Sequence, residues 1–285
     1  ARVIKRRAPD LPVILLSHGA LPVGECYADP SADASGGIDR TFIWTGNSDI
    51  LLALVKSAED RMNALPDSQQ AGIRVILFIE DSPFYISSLL PILYKELVFQ
   101  TQAVMEEGLN EEHRLLTMRA RPKILLAETF EEAAALFDRF EPYVLGVISD
   151  VRFPRGGSLD DDAGIEFLTR IKRDRFDIPV LLTSSDPSNA PKAEKIPAIF
   201  VDKNSASLQA DVRAFVKNYL GFGDFIFRRP DGGEIARASN LRSLEKCLRT
   251  IPEESFVLHC NRNDFSRWLF ARTETAPPAS LLLIH

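Results

Sequence analysis

Three acids whose positions could bring them together are Glu80 and Asp81, which close IRVILFIED, and Asp150, which closes VLGVISD. Five of the six residues before Asp150 are apolar or glycine. That composition predicts a buried parallel strand delivering one carboxylate to its C-terminal edge, where open α/β sheets collect their ligand chemistry. Clustered carboxylates repel one another, and a hard divalent cation that keeps waters and shares ligands with a phosphate relieves them. Mg2+ is the ion such a set calls for. The next apolar run, IPVLLTS, ends in the hydroxyl of Ser184, and the one after it, AIFVD, is followed by Lys203. An aspartate nucleophile, metal-binding acids, a hydroxyl and a lysine are the parts that stabilise charge on a transferring phosphoryl group. Each residue alone reads equally well as turn chemistry or a solvated lysine. The argument for a site rests on their joint arrival at successive strand ends.

The elements that must position these residues alternate. Strand IRVILFIED is followed by a helix opened by Ser82 and Pro83 and carrying Leu89, Leu90, Ile92, Leu93 and Leu97, with Pro91 predicted to kink or break it. Charged helical sequence from Met105 to Arg119 reads as an inserted extension. Then come strand PKILLAET, helix FEEAAALFDRFEP, strand VLGVISD, a Gly- and Asp-rich loop, helix AGIEFLTRIKR, strand IPVLLTSS, strand AIFVDKNS and helix SLQADVRAFVKNYL. Five such units predict an α/β domain over residues 73–220: a doubly wound, five-stranded parallel sheet with helices on both faces.

The opening segment repeats part of this unit. LPVILLSHG matches IPVLLTSSD, and FIWTGNSDILLALVK matches IFVDKNSASLQADVR, as in a second copy of the same fold. Residues 1–65 therefore read as the second half of a degenerate copy: a strand, a long loop from Gly19 to Gly37, a strand through Trp44, and a helix capped by Ser48 with Ile50, Leu51, Leu54, Val55 and Ala58 on one face. Ser17 stands in the Ser184 position, but Gly46 falls where Lys203 would be. PDSQQAG, residues 66–72, reads as a polar linker.

Residues 73–220 resemble the receiver domain of two-component response regulators. The likeness is carried by IEDSP, by DVRFP with proline four after the aspartate, by AGIEFL opening the following helix, by Ser184 five after Pro179, and by lysine in VDKNS. The resemblance implies a flavodoxin-like fold in which Asp150 accepts a phosphoryl group from a phosphohistidine, supplied by a histidine kinase or phosphotransfer protein. It further implies Mg2+ held by Glu80, Asp81, Asp150 and the backbone carbonyl of Arg152. Ser184 and Lys203 would meet the phosphoryl oxygens, and the Phe200 ring would follow phosphorylation. A linked output domain outside this sequence is implied, and a homodimer is compatible with it. The sequence departs from the family in placing Asn204 where proline usually follows the lysine, and in a longer stretch from Arg155 to Asp162.

Beyond Leu220 the character changes to a small α+β extension, residues 221–285. FIFR reads as a short strand, SLEKCLRTIP and NDFSRWLFART as amphipathic helices, the latter docking through Phe265, Trp268 and Leu269. His259 and Cys260 read as neighbours on a strand, facing opposite ways. This run resembles the segment that follows a receiver in phosphoenolpyruvate synthase-like bacterial proteins, which implies a regulatory N-terminal part of a phosphotransfer enzyme.

The chain's 34 basic and 40 acidic residues leave a net charge of −6, so no chain-wide field draws nucleic acid or anionic membrane. A DNA-binding regulator also lacks a helix-turn-helix here. A phosphohydrolase with an aspartyl nucleophile would want a second acid at position 152, where the residue is arginine. Three cysteines without ligand-like spacing suit a reducing cytosol, and no apolar run reaches membrane-spanning length. The opening ARVIKRRAPD, without Met, suits a segment cut from a longer protein.

Overall fold

The computed structural model describes residues 1–18, 37–106 and 121–271. A short helix α1 (Arg2–Arg7) precedes strands β1 (Ile14–His18) and β2 (Arg40–Trp44) and the long helix α2 (Asp49–Ala71). The central unit runs β3 (Val75–Ile79), α3 (Pro83–Glu106), β4 (Lys123–Ala127), α4 (Phe130–Phe140), β5 (Val144–Asp150), β6 (Phe153–Arg155), β7 (Ser158–Asp160), α5 (Ala163–Asp174), β8 (Val180–Ser184), α6 (Ala190–Lys195), β9 (Ile199–Asp202) and α7 (Leu208–Asn218). An extension adds β10 (Phe225–Arg228), β11 (Glu234–Ala238), α8 (Leu241–Leu248), α9 (Glu253–Asn261) and α10 (Asp264–Ala271).

Strands β4-β3-β5-β8-β9 form one parallel sheet in that order. This is the 2-1-3-4-5 order of a flavodoxin-like doubly wound fold. The alternation of β3 shows how the two faces are filled, since successive side chains point to opposite sides. Ile76 and Phe78 join the core under α3 and α7, with Leu93, Tyr94, Leu97, Val212 and Phe215. Val75, Leu77 and Ile79 join the core under α4, α5 and α6, with Phe137, Phe167, Leu168 and Ala193. Helix α3 runs through Pro91 without a break. The extension predicted from Met105 to Arg119 lies, beyond the end of α3, outside the described residues, as does the loop 19–36.

The segment predicted as a linker is helix. Pro66 to Ala71 are the last turns of α2, which closes at Gly72 in the left-handed region (φ 66°). Tertiary contacts override the polar composition: Ser68 is buried and its hydroxyl donates to the Ile73 carbonyl at 2.8 Å, while Asp67 pairs with Lys123 at 2.8 Å. The buried face is also rotated from the one predicted. Ile50, Ala53, Asp60 and Ala64 are covered, whereas Leu51 and Val55 are exposed.

This rotation lets α2 cross the open edge of the sheet, with Ile50 and Ala53 in one core and Ala64 in the other. An edge strand offers unpaired amides and carbonyls, and here the N-terminal segment satisfies two of them. The Ile124 amide donates to Asp60 Oδ2 at 2.8 Å, and Arg40 donates to the Leu126 carbonyl at 3.1 Å. Asp60, 0% exposed, also accepts from Tyr94 at 3.0 Å and takes both guanidinium nitrogens of Arg121, at 3.1 and 2.5 Å.

Strands β1 and β2 form a parallel pair that leads into α2. Its register differs, because Ser17 lies opposite Ile43 while Ser184 lies opposite Asp202. Relative to the aligned repeat this is a slip of two residues, which keeps every side chain on its original face.

In the extension, β10 and β11 form an antiparallel hairpin, and Trp268 of α10 is buried with Phe225, Phe227 and Leu244. His259 and Cys260 lie on a helix, α9, not a strand. His259 is buried between the Arg228 amide, which donates to Nε2 at 3.0 Å, and Asp264, 2.7 Å from Nδ1; Cys260 is exposed. The stretch Arg155 to Asp162, read as a loop, is largely the β6–β7 hairpin, turned by Gly156 and Gly157 at φ 59° and 82°. Such a turn needs positive φ at both central residues, and glycine supplies it without steric cost.

Candidate functional site

The parallel ladder sets the site by carrying five strand ends to one edge. The Glu80 amide still bonds to the Ala127 carbonyl at 3.0 Å, the Val151 amide to Thr183 at 3.1 Å, and the Lys203 amide to Ser184 at 2.8 Å. The residues just past β3, β5 and β9 are thereby fixed by backbone.

Glu80, Asp81, Asp150 and Lys203 come together. One carboxylate oxygen from each of the three acids lies within 4.8 Å of the others, the group among the described residues whose donors could hold a metal ion. Lys203 Nζ stands 2.5 Å from Glu80 Oε2 and 2.7 Å from Asp150 Oδ2, with Glu80 0% and Lys203 5% exposed. Asp150 Oδ1 accepts from the Val151 amide at 2.7 Å, which orients the carboxylate.

Burial pushes the Glu80 carboxyl up to about 8, with Lys203 pulling against this and Asp150 adding to it. Asp81 is raised by burial and then by the charge of Asp150. Burial works to lower Lys203, but the carboxylates of Glu80 and Asp150 outweigh it and the ammonium is held above its ordinary value. Three oxygen donors with two raised carboxyls fit a hard divalent cation, whose charge would relieve the repulsion that raises them.

Ser184, at the end of β8, is buried. Its Oγ accepts from the Asp186 amide at 3.1 Å and from Asn189 at 3.0 Å. Both contacts use oxygen lone pairs, so the hydroxyl proton is left for another acceptor. Phe200 lies on β9 opposite Leu182, half-buried against the α4–α5–α6 core. The Arg152 side chain, in the turn after β5, is exposed and 3.6 Å from Asp161.

Three residues of this edge had no role assigned from the sequence, where Asn204 stood only as a departure from proline. Gly164 opens α5 directly against β5, and a Cβ there would stand 2.0 Å from the Asp150 carbonyl oxygen. Tyr85, on the first turn of α3, places its ring centroid 4.3 Å from Lys203 Nζ, and its hydroxyl bonds to Asn204 Oδ1 at 3.3 Å. Asn204 in turn donates to the Ser185 carbonyl at 3.0 Å. The visible signals were the glycine in AGIEFL, a residue permitting close backbone approach, and the asparagine that follows the lysine in VDKNS.

No family model matches the chain, and no curated protein matches it. Among solved structures, it is similar to a response regulator receiver domain protein from Clostridium thermocellum, with 19% identity over 50% of this chain and 90% of that one and a TM-score of 0.32. A chain of the CheX–CheY–BeF3–Mg complex from Borrelia burgdorferi is 19% identical over 52% of this chain and 91% of its own, with a TM-score of 0.34. Response regulator TrrA from Thermotoga maritima, in complex with Mg2+–BeF, is 21% identical over 49% and 94%, with a TM-score of 0.29. The sheet order itself defines the central unit as a flavodoxin-like, doubly wound α/β domain. The phosphoenolpyruvate synthase-like context expected of residues 221–285 finds no support in these comparisons. No helix among the described residues is long and apolar enough to cross a membrane.

Proposed function

We propose that the chain is a phosphoacceptor regulatory module, in which Asp150 takes a phosphoryl group from the phosphohistidine of a histidine kinase or phosphotransfer protein. The observation that carries this reading is the seating of Lys203 between Glu80 and Asp150 at the sheet edge, 2.5 and 2.7 Å from their oxygens. An Asp150 carboxylate oxygen attacks phosphorus as the P–N bond breaks, and the electron pair leaves with the imidazole. Lys203 moves from the Asp150 carboxylate to a phosphoryl oxygen as that carboxylate is esterified, and the Ser184 hydroxyl donates to another. Glu80, Asp81, Asp150 and the Arg152 backbone carbonyl would hold Mg2+, which supplies charge neutralisation on the phosphoryl group.

The half-buried Phe200, two strands from Asp150, is the side chain whose packing would follow Ser184 when it turns toward the phosphoryl group. That shift biases a two-state equilibrium read by a linked domain or partner. The N-terminal repeat has no equivalent lysine at Gly46, so phosphorylation occurs once. Residues 1–65 serve as a cap on the domain spanning 73–220, and residues 221–285 as an appended unit.

Intact-mass measurement with Mg2+ and a small phosphodonor tests the reading. A single phosphoryl adduct on the wild type, absent from Asp150→Asn, is the expected result. No adduct, or an equal adduct on the variant, overturns it.

A further inference from the structure

Lysine is a compact charge on a flexible four-carbon stem, so its position depends on what surrounds it. The two carboxylates hold Lys203 on one side. On the other stands the Tyr85 ring, with its centroid 4.3 Å from Nζ, a distance at which the π-face attracts an ammonium. The ring is itself tied down by the bond from its hydroxyl to Asn204 Oδ1 at 3.3 Å.

Asn204 is held at two further points. Its side-chain amide donates to the Ser185 carbonyl at 3.0 Å, and its backbone amide donates to Asp202 Oδ1 at 2.8 Å. Asn204 therefore links the residue after Ser184, the end of β9 and the first turn of the helix that follows Glu80 and Asp81. Proline, which the family resemblance places at this position, has neither a backbone N–H nor a side-chain amide. It could make none of these three bonds.

We infer that Tyr85 and Asn204 are positioning residues for Lys203, a side-chain clamp that aims its ammonium at the acceptor carboxylate. The inference rests on the phosphoacceptor reading, because an aimed lysine matters only if a phosphoryl oxygen arrives beside it. The clamp acts on the transfer step. Neither residue hydrogen-bonds to the three carboxylates that would hold the metal, so rate and metal affinity separate in its variants.

The test follows phosphorylation of the full chain by acetyl phosphate at saturating Mg2+, using intact mass, with Mg2+ affinity measured by calorimetry. Tyr85→Leu, which removes the π-face, is expected to slow transfer about tenfold with Mg2+ affinity little changed. Tyr85→Phe, which keeps the ring and loses the tie, is expected to lose less. Asn204→Ala reaches the same clamp from the exposed side and is expected to slow transfer with the fold intact by circular dichroism. Wild-type rates in both Tyr85→Leu and Asn204→Ala overturn the clamp while leaving the phosphoacceptor reading standing. Equal losses in Tyr85→Phe and Tyr85→Leu accompanied by a matching fall in Mg2+ affinity assign Tyr85 a general structural role and overturn it as well. A wild-type chain that takes up no phosphoryl group overturns both.

Discussion

Gly164 packs so tightly beneath Asp150 that a Cβ on it would stand 2.0 Å from the Asp150 carbonyl oxygen and 3.0 Å from its carbonyl carbon. Its amide donates to the Val151 carbonyl at 2.9 Å, joining α5 to the end of β5. Replacing a helical glycine by alanine ordinarily stabilises by about 1 kcal/mol. Here the clash is with backbone, which cannot rotate away, so Gly164→Ala is expected to destabilise by roughly 1–3 kcal/mol and to slow phosphorylation by displacing Asp150. Urea denaturation and intact-mass kinetics measure the two effects. At Gly157, at the tip of the hairpin, a Cβ meets nothing within 4 Å. Gly157→Asn, a residue tolerant of positive φ, should leave both quantities near wild type.

Asp60 gives the second prediction. It is fully buried, with Tyr94, Arg121 and the edge amide of Ile124 all directed at its carboxylate. Removing one partner of a buried, hydrogen-bonded ion pair leaves the other uncompensated and costs about 3–5 kcal/mol. Asp60→Ala should destabilise the chain on that scale in urea and, by reopening the edge of β4, raise its tendency to aggregate in light scattering. Wild-type stability in this variant would show that α2 does not hold that edge.

What could be read in the sequence was whatever a continuous apolar run ending in a polar or charged residue makes visible. Glu80, Asp81, Asp150, Ser184 and Lys203 each follow such a run, so both the sheet and the site edge were legible. Pro66 to Ala71 were not, because burial of Ser68 and the Asp67–Lys123 pair, not local propensity, keep them helical. The β6–β7 hairpin was hidden for a similar reason. Its strands are three residues each, and its turn is held by Glu131, which accepts from the Gly156 amide at 2.9 Å from another element. Tyr85 and Asn204 are 119 residues apart and meet only once the sheet has formed.

Protonation of Glu80 sets a pH dependence. Burial raises its folded-state value from an ordinary 4.5 to about 8, so between these values the folded chain binds more protons than the unfolded one. Stability then falls as pH rises through that interval, because the stabilising contribution is fully present below the unfolded value and lost above the folded one. Thermal melts in the presence of a chelator, from pH 5 to 9, should show a decline in Tm that Glu80→Gln removes. A flat profile in the wild type would show that Glu80 stays ionised through its contact with Lys203.

The docking of the C-terminal extension makes the last prediction. Trp268 is buried, and its indole donates to the Gly223 carbonyl at 2.8 Å. Arg267 reaches the Asp177 carbonyl at 2.6 Å, and the Arg74 guanidinium lies 3.5 Å from the Phe270 ring centroid. Ala271 belongs to the core under α3 and α7, so the extension shares apolar contacts with the domain it follows. Such sharing predicts one cooperative transition. The chain has two tryptophans, and in a Trp44→Phe background fluorescence reports Trp268 alone. Its unfolding in urea should coincide with that followed by far-UV circular dichroism. Trp268→Ala is expected to cost about 3–5 kcal/mol and to lower the midpoint of the whole chain, whereas an earlier, separate fluorescence transition would mean that the extension unfolds by itself.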